Sequence, residues 1–219
     1  MIEFLPWLIG LALHGSVVQD SARLEGERLV IRPLGISFLV PPVWLGQPVP
    51  QGRNYLCGNH PGGTVNDRIV TEPSRFRALQ HPAGEWKSEF SAVVDSVLPF
   101  GSLVAHLGGD PWTGHCGTLQ MRVYVGDQLG RRTANAEPGV RAASRYFKPV
   151  VRTHRHPGRW SVTRLSWDAW YYDYGGLAVV EFWSRRFRGR DVVFVFMLTG
   201  ADDDQSKDRT AIIASVREQ

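Results

Sequence analysis

Four residues have the types and spacing to do chemistry. Cys57 and His60 lie three apart in "NYLCGNHPGGTVND" (Asn54–Asp67), and His115 and Cys116 adjoin in "GHCG" (Gly114–Gly117). Together they supply four soft or borderline ligands, the number that tetrahedral zinc requires. Adjacent ligands such as His115 and Cys116 would have to bend around one ion, whereas structural zinc sites usually space each ligand pair by two or more residues. A cysteine beside an imidazole can also be a thiolate nucleophile. Neither cysteine opens a helix pattern, and Asn59 and Asp110 are the nearby candidates to orient a histidine. In an oxidising compartment the two sulfurs would instead form a Cys57–Cys116 disulfide. It would close a loop of about 60 residues and stabilise by roughly 3–4 kcal/mol. Two buried thiols are the remaining alternative. The disulfide is favoured over metal and catalysis, and it depends on export.

A second constellation is basic. The chain has 219 residues and a net charge of +4, carried by arginine with only three lysines, Lys87, Lys148 and Lys207. Arg141–Arg190 holds 11 Arg and Lys against 3 acids, and Asp191–Gln219 holds 3 against 6. Such asymmetry suits an acidic partner. Two stretches carry it, a basic loop "RTHRHPGR" (Arg152–Arg159) and "RRFRGR" (Arg185–Arg190) at a hairpin turn. Arg152, Arg155, Arg159, Arg185, Arg186 and Arg188 are the expected contact residues for a protein or anionic partner. His154 and His156 add charge at low pH. The bland alternative is two solvated loops.

Other features reduce to structure. "WDAWYYDYGG" (Trp167–Gly176) reads as an aromatic strand entering a turn rather than a stacking platform. "GNHPGG" lacks the spacing of a phosphate-binding loop. Asp202–Asp204 reads as a helix start, without the glycine and glutamate of a calcium loop. No cofactor and no nucleic-acid partner is expected.

The elements that position these residues follow from periodicity. Leu29 and Ile31, then Ile36, Phe38 and Val40, alternate around a Leu34–Gly35 turn as two short strands. Residues 47–82 are a loop-rich insertion full of proline and glycine. Glu85–Leu98 is a helix, with Trp86, Phe90, Val93, Val94 and Val97 on one stripe and Pro99 as its stop. Strands follow at Ser102–Leu107 and Thr118–Val125, then a helix at Pro138–Phe147. Trp160–Tyr172, Leu177–Phe187 and Asp191–Thr199 form a meander. Val192–Leu198 is apolar on both faces and belongs in the middle of the sheet. A closing helix turns Ile212, Ile213 and Val216 inward. The sum is α+β: an antiparallel sheet of about six to seven strands flanked by helices.

The start has an apolar run, Phe4–Leu13, too short to span a bilayer. It matches the core of a signal peptide ending near Gly15–Ser16 or Ser21–Ala22, although Glu3 precedes it and no Lys or Arg does. The expected organisation is a leader over 1–22 and one α+β domain over 23–219. The expected location is periplasmic or secreted, or cytoplasmic if the segment is a buried helix or strand that is not cleaved. No transmembrane span is expected.

"GISFLVPPVWLG" and "GRDVVFVFMLTGADDDQSKDRTAIIASVRE" together resemble the PsbP-like superfamily, which includes PsbP, the Ran-binding Mog proteins and the bacterial DcrB-type lipoproteins. The first is similar to an early strand ending in a Pro-x-Trp-type corner. The second is similar to a final strand followed by a helix ending in an Ile-x-x-Ser-Val pattern, here Ile212–Val216. The resemblance covers about a quarter of the chain. It implies an α/β/α sandwich, often exported, acting by binding rather than catalysis, and carries over no catalytic residue. The insertion at 47–82 departs from that pattern. The expectation is a non-enzymatic binding or accessory protein of the bacterial envelope. The alternatives are a thiol- or metal-dependent hydrolase built on Cys57, His60, His115 and Cys116, and a structural subunit of an envelope complex.

Overall fold

The structure is a computed structural model and describes residues 22–41, 93–99, 101–107, 120–143, 150–168, 177–199 and 203–219. In chain order the elements are β1 (Ala22–Glu25), β2 (Arg28–Ile31), β3 (Ile36–Leu39), helix α1 over 93–97, β4 (Ser102–Leu107) and β5 (Gln120–Gly126). Then come α2 (Leu129–Ala134), α3 (Glu137–Ala143), β6 (Val150–His156), β7 (Trp160–Asp168), β8 (Leu177–Phe187), β9 (Arg190–Thr199), α4 (Asp203–Ser215) and β10 (Arg217–Glu218).

The strands form two sheets, in the orders β1-β2-β3-β10 and β4-β5-β9-β8-β7-β6, with every neighbouring pair antiparallel. The α+β class matches the sequence reading, but the single sheet of about six to seven strands does not, because the two early strands lie outside the large sheet and β6, read as loop, joins it. The separate four-stranded sheet does not appear in that reading. Its outer members are a four-residue strand and a two-residue strand, too short to show a period.

Strand β9 explains why the large sheet is buried on both sides. It lies between β5 and β8, as its continuous apolar run requires. Its even residues, Val192, Phe194, Phe196 and Leu198, enter one core with Leu29, Ile31, Ile36 and Phe38 of the small sheet and Ile212 and Ile213 of α4. Its odd residues, Val193, Val195 and Met197, enter a second core with Val93, Val94 and Val97 of α1, Leu129 of α2 and Val140 of α3. Alternation of side chains on a strand thus feeds two cores. The first core is aromatic: Phe194 lies 5.2 Å from Phe38 and 5.4 Å from Trp160, ring centre to ring centre. Burying each such side chain stabilises by about 1.5–3 kcal/mol.

Close backbone approach shapes both layers. A side chain at Gly139 of α3 would begin 2.9 Å from the Ser96 carbonyl oxygen, so α3 can cross α1 here only because this residue lacks one. Gly35 closes the β2–β3 turn at φ +59°, and a β-carbon there would lie 2.3 Å from the Arg188 guanidinium. Arg28 fastens the small sheet to α4, donating to the Ser37 side chain and, at 2.8 Å, to the Ser215 carbonyl. The closing helix ends at Ser215, and the chain then pairs Arg217 with Ser37 and Glu218 with Ile36.

Candidate functional site

The basic stretches are not both loops. Val150–His156 is strand β6, so Arg152, Arg155 and both histidines stand on a strand and only Arg159 on a turn. The physical reason is that β6 is the last strand of its sheet and mostly exposed on both faces. Such a strand carries no alternating apolar signature, and charge on it discourages edge-to-edge pairing.

Register then divides the arginines. Arg152 lies opposite Arg164, and Arg155 opposite Ser161, so the two point to opposite faces. The β6–β7 turn is Pro157–Arg159, and Trp160 starts β7 beside the end of β8, with its ring centre 5.9 Å from that of Phe187. The β8–β9 turn is Arg188–Gly189, with Phe187 opposite Arg190. Both hairpins therefore turn at one end of the sheet, where β5 also ends, Gly126 opposite Asp191.

At this end the arginines have different lives. Arg185 pairs with Glu218 of β10 and its guanidinium lies 4.6 Å from the Phe187 ring centre. Arg186 donates twice to the Gly189 carbonyl, at 2.9 and 2.8 Å. Arg188 donates to the Gln219 carbonyl at 2.9 Å. Arg131, Arg155, Arg159 and Arg190 are exposed and have no ion pair among the described residues.

A cleft of about 420 Å³ opens here, lined by Asp127, Gln128, Arg131, Arg186, Gly189 and Asp191. The Asp191 carboxylate accepts the Gly130 amide at 3.1 Å. It thereby caps α2, whose own N-cap, Gln128, is left-handed at φ +62° and makes no side-chain cap. Among the described residues the non-glycine positions with positive φ are Gln128, Arg159 and Arg188, and all three are at this end. Such conformations cost about 1–3 kcal/mol each and cluster at functional sites.

A second polar cluster escaped the sequence reading. On the second face of the sheet, His106 lies opposite Arg122, and Tyr124 follows two residues along β5. All three are buried, beneath the helix that carries Asp95. Burial raises the Tyr124 hydroxyl pKa, while the Arg122 guanidinium beside it lowers it. Although Asp95 keeps much of its surface in water, the protein packed around it raises its carboxyl pKa, with Arg122 opposing. The Arg122 Nε and the Tyr124 hydroxyl are buried without a well-formed hydrogen bond. The pairing of His106 with Arg122 depends on a bulge between Leu103 and Ala105, which no local pattern reveals.

Cys57, His60, His115 and Cys116 lie outside the described residues, as do the apolar start, the insertion at 47–82 and Asp202. Among the described residues no group of His, Cys, Asp and Glu is placed to hold a metal ion, and no helix is long and apolar enough to cross a membrane. No protein-family model matches this chain, and no curated protein matches it.

Proposed function

We propose that this is a non-catalytic binding protein that engages an acidic or anionic partner through the arginine-rich end of its large sheet. The observation that carries this reading is convergence. Exposed Arg131, Arg155, Arg159 and Arg190 stand at the end of the sheet where two hairpins and the start of α2 meet, and Arg131 lines a cleft there beside the left-handed Gln128. Guanidinium groups suit carboxylate, sulfate and phosphate alike. The apolar start and the PsbP-like resemblance support an exported accessory role, which N-terminal sequencing of the mature protein tests directly. A new terminus between Gly15 and Arg23 is expected, and an intact Met1 in exported fractions counts against it.

Binding itself is tested on a sulfated polysaccharide column. The wild type is expected to be retained, and Arg155→Glu/Arg159→Glu to elute at clearly lower salt. Arg23→Glu/Arg141→Glu changes net charge equally at exposed positions elsewhere. If it lowers the elution salt as much, general charge rather than this surface is responsible and the reading fails.

A further inference from the structure

The face of β6, β7 and β8 next to α4 carries a row of charges distinct from the arginine-rich end. Register places Arg152 of β6 opposite Arg164 of β7, and Arg164 opposite Glu181 of β8. Two like charges directly opposite one another are unfavourable unless an anion lies between them. Glu181 is nearly fully buried and mostly committed elsewhere. Its Oε2 accepts from Trp183 Nε1 and from Arg209 Nη1 of α4, both at 2.9 Å. Its Oε1 lies 3.7 Å from Arg164 Nη1, a charge contact beyond hydrogen-bonding length. Glu181 thus contacts two guanidiniums, Arg164 and Arg209, and Arg152 stands one strand further out.

The donors are available. Arg152 is exposed, the Arg164 side chain is 43% exposed, and Arg209 Nε is buried with no hydrogen-bond partner. His154 stands one step along the same face of β6, opposite Val162, and His156 beyond it packs its ring 4.7 Å from Trp183. The other charged groups nearby include Asp208 of α4, which is buried and engaged, and Arg185, which is paired with Glu218.

We infer that Arg152 and Arg164, backed by Arg209 and flanked by His154, form a binding site for a phosphate-type dianion. A dianion can answer both exposed guanidiniums, Arg152 and Arg164, where a monoanion would answer one. Two guanidinium forks on neighbouring strands can each give paired hydrogen bonds to one tetrahedral oxyanion. Glu181 acts as a positioning residue, fixing Arg209 and drawing Arg164 into the row.

The test is calorimetric titration of the full chain with inorganic phosphate, with acetate at matched ionic strength as the monoanion. Saturable phosphate binding is expected, with acetate much weaker. Arg152→Ala and Arg164→Ala should each weaken it about ten- to hundredfold. Arg23→Ala removes one positive charge from an exposed position on β1, outside both surfaces, and should leave it unchanged. Vesicles of phosphatidylcholine with and without phosphatidic acid separate the sources of phosphate. Binding to the former that Arg152→Ala abolishes assigns a lipid headgroup, and absence of vesicle binding assigns a soluble phosphate. The inference is overturned if the wild type shows no saturable phosphate binding, if acetate binds equally, or if Arg23→Ala is as damaging as Arg152→Ala. Because Arg155 and Arg159 carry the partner surface, loss there with phosphate binding intact separates the two readings.

Discussion

In the β8–β9 hairpin, Arg185 reaches Glu218, Arg186 holds its own turn through the Gly189 carbonyl, and Arg188 reaches the Gln219 carbonyl. In the β6–β7 hairpin beside it, the Arg155 and Arg159 side chains are exposed and make no hydrogen bond or ion pair among the described residues. The two turns share an end of one sheet and a similar basic sequence. Their difference comes from neighbours. β8 is flanked by β7 and β9, and Arg185 at its end and Arg188 in the turn meet the returning chain at Glu218 and Gln219, whereas β6 has a partner on one side only. Arginine count is therefore a poor guide to binding. Arginines that replace water with protein carbonyls fasten the fold, and those left in water remain free for a partner.

The sharpest way to break this contrast is along one row of the sheet. His154, Val162, Trp183 and Phe194 lie side by side across β6, β7, β8 and β9. Trp183→Ala should cost about 3–5 kcal/mol in denaturant unfolding, because it empties part of the aromatic core. His154→Ala should stay within about 0.5 kcal/mol. Equal losses would mean that β6 is as embedded as β8.

Next in size is Glu181→Ala. It strands the Trp183 indole and the Arg209 guanidinium and should cost about 3 kcal/mol in the same measurement. A smaller effect is expected where the tied hairpin meets the small sheet. Gly35→Ala should cost about 1–2 kcal/mol from its left-handed backbone, plus the clash with the Arg188 guanidinium. Combined with Arg188→Ala the cost should fall below the sum of the two single changes, since the clash disappears. Strict additivity would show that the guanidinium is not packed over Gly35.

Asp95 gives a pH test of the opposite face. Its folded pKa is raised, so its ionisation opposes folding: the fold is favoured below the unfolded pKa and loses that advantage as pH rises through the folded value. Asp95→Asn should raise the melting temperature at neutral pH and leave it nearly unchanged well below the ordinary carboxyl range. An unchanged difference across pH would show that Asp95 ionises as it does in the unfolded chain. The smallest effect is at the open hairpin. Arg159→Gly relieves φ +65° but loosens the unfolded chain, for a net gain of about 0.5 kcal/mol, while weakening retention on the sulfated column.

What the sequence makes legible follows from how local each cause is. β9 is readable because seven consecutive apolar residues need two buried faces. The turn at Leu34–Gly35 is readable because glycine at positive φ is its local signature. β6 reads as loop because a strand with one neighbour and two wet faces has no period. Helix α2 is missed for a different reason. Its capping carboxylate is Asp191, 61 residues away along the chain, so "LGRRTA" shows no start signal of its own. The six arginines are visible as a basic segment, but their division between faces and partners is set by register. Arg164, Glu181 and Arg209 join Arg152 through strand pairing and helix docking, which no spacing along the chain encodes.

The pairing of β10 with β3 has a consequence for synthesis. The four-stranded sheet joins residues near both ends of the sequence, and Gln219 donates its amide to the Gly35 carbonyl at 2.7 Å. A ribosome delivers β10 after every other element described. The second core, drawn from residues 93–197, can begin to form while α4 and β10 are still in the exit tunnel. The first core cannot close until Ile212 and Ile213 emerge. Until then β3 keeps an open edge and the aromatic face of the large sheet lacks part of its cover, the kind of exposure that invites mispairing. The emergence of α4 and β10 thus governs when the nascent protein covers its own sticky surface.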